Sequence, residues 1–248
     1  MAGEAPAGEA VAKEAPHHEA RQMAGPRRRG RWSEEAIREH LLLYAVTDRA
    51  WLRGRTLPDC VRQAIAGGTT FVQLREKHPG HDGHDEKLAL AREILPICRA
   101  AGVPFLIDDD VALAAEVGAD GVHVGQEDMA CSEARRILGP DAIVGVSAQT
   151  VSEACAAERA GADYLGVGAL HPTATKPDAV DVTYDELARI CSSVSIPVVG
   201  IGGVDATTAH ELAGTGVAGG AVVSAIFAAD DPEAAARDLV RELRKVVR

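Results

Sequence analysis

Apolar residues fall into eight short runs, at 41–47 (LLLYAVT), 70–75 (TFVQLR), 104–108 (PFLID), 121–125 (GVHVG), 142–147 (AIVGVS), 164–169 (YLGVGA), 197–202 (PVVGIG) and 219–225 (GGAVVSA). Runs this short and this apolar suit strands buried on both faces, as in a parallel sheet. Between them lie alanine-rich stretches of helical character, such as 84–100, 130–138, 150–160 and 205–213, and 232–247 closes the chain. Strand and helix alternate eight times over about 210 residues, which predicts a (β/α)8 TIM barrel. A doubly wound open sheet is the second reading. It would gather polar residues at two or three strand ends, whereas here most strands end that way.

Residues 1–38 break the pattern. Glu-Ala recurs at 4–5, 9–10, 14–15 and 19–20, followed by the basic run Arg27, Arg28, Arg29 and Arg31. With so few large apolar residues, the segment cannot offset the entropy of ordering and reads as a disordered low-complexity tail. The catalytic barrel is expected over 39–248.

Composition narrows the function. The formal net charge is −11, and the tail's basic run lacks interleaved aromatics, so nucleic acid is not an expected partner. An acidic chain that handles anions must concentrate positive charge locally or recruit a metal cation. Aromatic residues make up only 3%, leaving Ala, Val, Leu and Gly to pack helices closely on strands. The five cysteines, Cys60, Cys98, Cys131, Cys155 and Cys191, form no C-x-x-C pair and read as reduced thiols. No apolar stretch approaches the ~20 residues of a membrane span, and the N-terminus lacks a signal-peptide core. The expectation is a cytoplasmic protein with no membrane partner; a homo-oligomer is compatible with the sequence.

The strand endings carry the chemistry. The stretch 165–178 (LGVGALHPTATKPD) runs from a glycine-rich strand end into Thr173, Ala174, Thr175 and Lys176. Backbone amides, two hydroxyls and a lysine in one loop suit a phosphate. Gly202-Gly203 and Val223-Ser224 end strands 7 and 8, where barrels of this kind hold phosphate; the glycines could equally serve only a tight turn. Gln73, Arg75 and Lys77 alternate and so share one face. An Arg and a Lys there could clamp a diphosphate, or pair with Glu76 or another carboxylate. Asp109 and Asp128 end strands 3 and 4, and their hard oxygens suit Mg2+. The alternative is that Asp109, Asp110 and Asp128 only cap the following helices. His78, His81 and His84 share a glycine-containing loop and read as a metal site or as a solvated lid. His123 reads as a structural hydrogen-bonder and His171 as a pocket-lining residue.

In order and at matching spacing, the chain carries Tyr-x-Val-Thr-Asp (44–48), Gln-Leu-Arg-Glu-Lys (73–77) and Asp-Asp-Val (109–111). Next come Gly-Ala-Asp-Gly-Val-His-Val-Gly-Gln-x-Asp (118–128), Gly-Val-Ser (145–147) and Gly-Ala-Asp-Tyr-x-Gly-Val-Gly (161–168). Pro-Thr-x-Thr-Lys (172–176) and Gly-Ile-Gly-Gly (200–203) complete the series. Over roughly residues 41–228 it therefore resembles the thiamine-phosphate synthase family. The resemblance implies a transferase that joins 4-amino-2-methyl-5-hydroxymethylpyrimidine diphosphate to 4-methyl-5-(2-phosphooxyethyl)thiazole, giving thiamine phosphate and pyrophosphate. It further implies that Gln73, Leu74, Arg75, Glu76, Lys77, Asp108, Ser147 and Lys176 hold the pyrimidine diphosphate. Thr173, Ala174, Thr175, Gly203, Val223 and Ser224 would hold the thiazole phosphate, and Asp109 and Asp128 would ligate Mg2+. Arg75, Lys77, Ser147 and Lys176 are the implied catalytic groups. Such chemistry needs no protein nucleophile, in keeping with the lack of an evident Ser-His pair in the sequence.

The chain departs from the family in two places. Asp108 stands where Asn is usual, and an extra carboxylate beside a diphosphate is expected to raise the magnesium requirement. Gly-Ala-Leu-His-Pro (168–172) replaces the usual Gly-Pro-Ile-Phe-Pro. Two alternatives remain at this stage. One is a related thiazole tautomerase, which would not need the diphosphate clamp; the other is a non-catalytic phosphate-binding barrel.

Overall fold

Alternate residues of each strand face opposite sides of a sheet, and in this chain both sides are buried. The computed structural model describes residues 32–172 and 181–247. Its strands are β1 (Leu43–Val46), β2 (Phe71–Leu74), β3 (Phe105–Asp108), β4 (Gly121–Val124), β5 (Ile143–Ala148), β6 (Tyr164–Val167), β7 (Val198–Ile201) and β8 (Gly219–Val222). They pair in sequence order, all parallel, and β8 returns to β1 to close the barrel. All eight predicted strands form, and the open sheet is excluded.

Tyr44, Val46, Phe71, Leu106, Ile143, Tyr164, Val199 and Ala221 belong to one buried cluster inside the barrel. Their strand neighbours, among them Leu43, Ala45, Val72, Leu74, Phe105 and Ile107, join the larger cluster under the helices. This continuous burial is why the strands read as apolar runs without alternation.

The outer helices are α2 (Leu57–Ala66), α3 (His84–Ala101), α4 (Val111–Val117), α5 (Cys131–Leu138), α6 (Val151–Arg159), α7 (Tyr184–Ser193), α8 (Ser224–Phe227) and α9 (Pro232–Val246), preceded by α1 (Glu34–His40). Thr56, Asp110, Thr150, Thr183 and Asp231 cap their helices with side-chain oxygens, satisfying orphaned amides of the first turn. The predicted helix over 205–213 shrinks to a 3-10 turn, Ala209–Leu212. Asp205 Oδ1 accepts from the amides of Thr207 and Thr208 at 2.7 and 3.0 Å, a local turn that competes with helix formation.

The ordered fold also starts earlier than position 39. Ser33 caps α1, and Trp32, Ile37 and Leu41 join the inner cluster. Trp32 Nε1 donates to Asp120 Oδ1 at 2.9 Å and Arg38 to the Ser195 carbonyl at 3.0 Å. Both partners precede strands, so α1 plugs the N-terminal end of the barrel. Trp32→Phe should lower unfolding free energy by about 2 kcal/mol, through lost volume and the lost hydrogen bond to Asp120. A urea titration checks this; an unchanged midpoint would mean that the plug adds nothing. The rest of the predicted tail, residues 1–31, lies outside the described residues.

The cysteines are free, with Cys60, Cys98 and Cys131 buried. Burial pushes the Cys98 thiol up to about 12 and that of Cys131 to about 11, so neither is an activated nucleophile.

Candidate active site

The C-terminal end of the barrel collects most of the predicted residues. Thr47, fully buried after β1, fixes the end of β2. Its hydroxyl donates to the Arg75 carbonyl and accepts from the Arg75 amide, both at 2.9 Å. The Arg75 guanidinium reaches Asp48 Oδ2 at 3.2 Å and lies 3.9 Å from Asp108 Oδ2. Lys77 extends across the mouth, with Nζ 3.4 Å from Asp108 Oδ2 and 2.5 Å from Asp109 Oδ2. Burial pulls the Lys77 ammonium down, but Asp108 and Asp109 outweigh it and hold its pKa above the usual value. Arg75 and Lys77 thus meet carboxylates, as the salt-bridge alternative allowed, in a cluster facing the mouth.

Glu76 points elsewhere. Its buried carboxylate accepts from Arg49 Nε at 2.8 Å and from the His78 amide at 3.2 Å. Leu74 lies in the cluster under the helices, so its side chain is also outside the mouth.

Asp108 ends β3 with its side chain inside. Oδ1 accepts from Gln73 Nε2 at 2.5 Å, while Oδ2 is buried without a hydrogen-bond partner among the described residues. Burial, followed by repulsion from Asp109, pushes this carboxyl up to about 6; Lys77 and Arg75 oppose the shift. A folded-state pKa above the unfolded value means that folding favours the protonated form. The contribution is full below about pH 4 and is lost as pH rises through about 6. Asp108→Asn should therefore stabilise the metal-free protein near pH 8 by on the order of 2 kcal/mol and have little effect near pH 4. Urea midpoints at the two pH values check this; an equal shift at both would contradict it.

Asp109 takes φ +58°, a left-handed backbone that Asp and Asn tolerate better than most residues. Its amide donates to the His123 carbonyl at 2.8 Å. Asp110 alone caps α4. Asp128 caps nothing either: α5 has no side-chain cap, and Asp128 Oδ2 accepts from the Gly125 amide at 2.8 Å. Partial burial, then hydrogen bonding to the Asp109 carboxyl, raises the Asp128 pKa. The two carboxyls in contact, Asp109 and Asp128, offer hard oxygen donors of the kind a divalent cation takes, with Asp108 Oδ2 held nearby by Lys77. Among the described residues, no group of three or more His, Cys, Asp or Glu forms a metal site, so a cation here would take further ligands from substrate or water.

The sequence missed a polar chain through the barrel. Tyr44 Oη donates to Gln73 Oε1 at 2.6 Å and lies 2.8 Å from Tyr164 Oη. Tyr164 Oη is 2.9 Å from His123 Nδ1, and His123 Nε2 is 3.0 Å from Ser147 Oγ. A Ser-His pair therefore does exist, on neighbouring strands 24 positions apart. Its signal was inward parity: Tyr44 precedes Gln73 in register, and Asp108 pairs with His123.

Gly202 and Gly203 take φ +92° and +71°, and a Cβ on Gly203 would lie 2.5 Å from that of His171. His171 Nε2 lies 2.9 Å from Tyr184 Oη and 3.2 Å from Glu211 Oε2. Val223 precedes α8 and Ser224 opens it, placing both after strand 8 beside the strand 7 glycines. His78, His81 and His84 make exposed contacts to Pro79, Glu86 and Glu116, and the His78 and His81 rings lie 5.7 Å apart. Thr173, Ala174, Thr175 and Lys176 lie outside the described residues.

Residues 43–226 match the family described as thiamine monophosphate synthase. A thiamine-phosphate synthase of Ruminiclostridium cellulolyticum is 47% identical over 198 residues, covering 80% of this chain and 93% of that one. One from Chloroflexus aurantiacus is 48% identical over 198 residues, covering 79% and 90%. Among solved structures, a thiamine phosphate pyrophosphorylase from Pyrococcus furiosus superposes with TM-score 0.77 at 37% identity, covering 86% of this chain and all of that one. The 3-hexulose-6-phosphate synthase of Salmonella typhimurium, 19% identical with TM-score 0.63, shares the fold. The chain belongs to the thiamine monophosphate synthase family.

Proposed function

We propose that the chain condenses 4-amino-2-methyl-5-hydroxymethylpyrimidine diphosphate with 4-methyl-5-(2-phosphooxyethyl)thiazole, releasing thiamine phosphate and pyrophosphate. One observation carries this reading. Two cations, Arg75 and Lys77, meet three acids, Asp108, Asp109 and Asp128, at one barrel mouth beside Ser147. A tautomerase acting on a thiazole phosphate has no use for such a clamp.

The C–O bond between the pyrimidine methylene and the diphosphate breaks, and its electron pair leaves with the diphosphate. The electron-rich aminopyrimidine stabilises the methylene cation. The thiazole nitrogen then donates its lone pair to form the C–N bond. The protein must neutralise the departing charge and aim the two rings. Arg75 and Lys77 would hold the diphosphate, and Lys176, by its match to the family motif, would do the same. The strand 7 and 8 endings, Gly203, Val223 and Ser224, with Thr173 to Thr175, take the thiazole phosphate. Asp109 and Asp128 would hold Mg2+, which supplies further positive charge to the leaving group. No described helix is long and apolar enough to cross a membrane, and a cytoplasmic setting suits the free thiols.

Product analysis tests the reading. With both substrates and Mg2+, thiamine phosphate and pyrophosphate should appear in equal amounts. Thiazole isomerisation alone, or binding of both substrates without turnover, would contradict it.

A further inference from the structure

With His123 uncharged, the polar chain in the barrel runs in one direction. Gln73 presents Nε2 to the Asp108 carboxylate, so its Oε1 accepts the Tyr44 proton. A tyrosine hydroxyl has one proton. With that of Tyr44 spent on Gln73, the Tyr44–Tyr164 contact at 2.8 Å requires Tyr164 to donate. The Tyr164 proton is then spent too, so the 2.9 Å contact to His123 requires a hydrogen on Nδ1. An uncharged imidazole carries one N–H, which leaves Nε2 an acceptor. The Ser147 hydroxyl, 3.0 Å away, must give its proton to Nε2.

The backbone makes room for this chain. A Cβ at Gly145 would collide with the Tyr164 ring and hydroxyl, and one at Gly166 would lie 3.1 Å from His123 Cε1. Gln126 Nε2 donates to the Ser147 carbonyl at 2.5 Å, fixing the serine from its other side.

We infer that His123, held by Tyr164, is a positioning residue that turns Ser147 into a hydrogen-bond acceptor for the exocyclic amino group of the pyrimidine. With its proton committed, Ser147 Oγ offers the pocket only lone pairs. An ionised diphosphate also offers only acceptors, so the two would repel. The ring amino group is an N–H donor and completes the pair. Ser147 then selects an amino-bearing ring over one with a carbonyl at that carbon, because a second acceptor there would leave buried polar atoms unpaired.

This inference rests on the proposed condensation, and the test separates the two. Titration calorimetry near pH 8, above the ordinary imidazole range, compares the aminopyrimidine diphosphate with inorganic pyrophosphate, each with Mg2+ and without the thiazole. The proteins are wild type, Ser147→Ala and Tyr164→Phe; the last keeps the ring packed edge-on against Phe71. Both variants should bind the pyrimidine diphosphate about tenfold more weakly and pyrophosphate within about twofold of wild type. Equal loss for both ligands would place Ser147 on the diphosphate and overturn the inference. A loss in Ser147→Ala with none in Tyr164→Phe would overturn the relay through His123. A wild-type protein that bound pyrophosphate but not the pyrimidine diphosphate would overturn the condensation itself.

Discussion

Lys77→Ala is expected to lower kcat about 100- to 1,000-fold, the usual loss when one preorganised group facing developing charge is removed. Lys77 Nζ lies 3.4 Å from Asp108 and 2.5 Å from Asp109, so in the substrate-free protein it offsets acidic charge. In the proposed reaction the same ammonium would face the leaving oxygens of the diphosphate. Its removal costs twice: the leaving group loses a cation, and Asp108, deprived of its nearest cation on Oδ2, repels it. The side chain is half exposed, so the fold should survive. Steady-state kinetics checks this, with circular dichroism to confirm folding. A kcat within about threefold of wild type would remove Lys77 from the catalytic machinery.

Asp109→Asn and Asp128→Asn should each raise the half-saturating Mg2+ concentration at least about 10- to 100-fold, the range seen when even the supports of metal ligands are lost. Asparagine suits the test because Asp109 sits at φ +58°, a backbone it adopts with little strain, so loss of charge is separated from loss of fold. The rate should recover in part at high Mg2+. Rate-against-magnesium curves for the two variants decide it; curves overlying wild type would show that these carboxylates do not hold the metal. The same titration on Asp108→Asn tests whether the extra carboxylate raises the requirement; an unchanged curve would show that it does not.

The fold was legible because both faces of the sheet are buried. Each strand appears as an apolar run, and its polar ending marks the catalytic end of the barrel. What the sequence hid depends on direction in space. Glu76 sits between two clamp cations yet turns to Arg49, and adjacent positions in a strand always point opposite ways. Leu74 is turned aside by the same parity. Asp48 and Thr47, just after β1, hold Arg75, a contact between residues 27 and 28 positions apart. The Tyr44–Tyr164–His123–Ser147 chain spans four strands, and nothing in any one motif announces it. At the N-terminus, the polar Ser33 and Glu34–Glu35 resemble the tail before them. They belong instead to a helix cap and first turn, where acidic residues favour the helix dipole.

In the proposed reaction this mouth neutralises a departing diphosphate so that two rings can join. The most direct test is to mix the protein with both substrates and Mg2+ and to follow thiamine phosphate by fluorescence after oxidation. Product is expected, falling to background with EDTA and returning when Mg2+ is restored in excess. No product from folded protein that still binds thiazole phosphate, or a rate indifferent to EDTA, would contradict it.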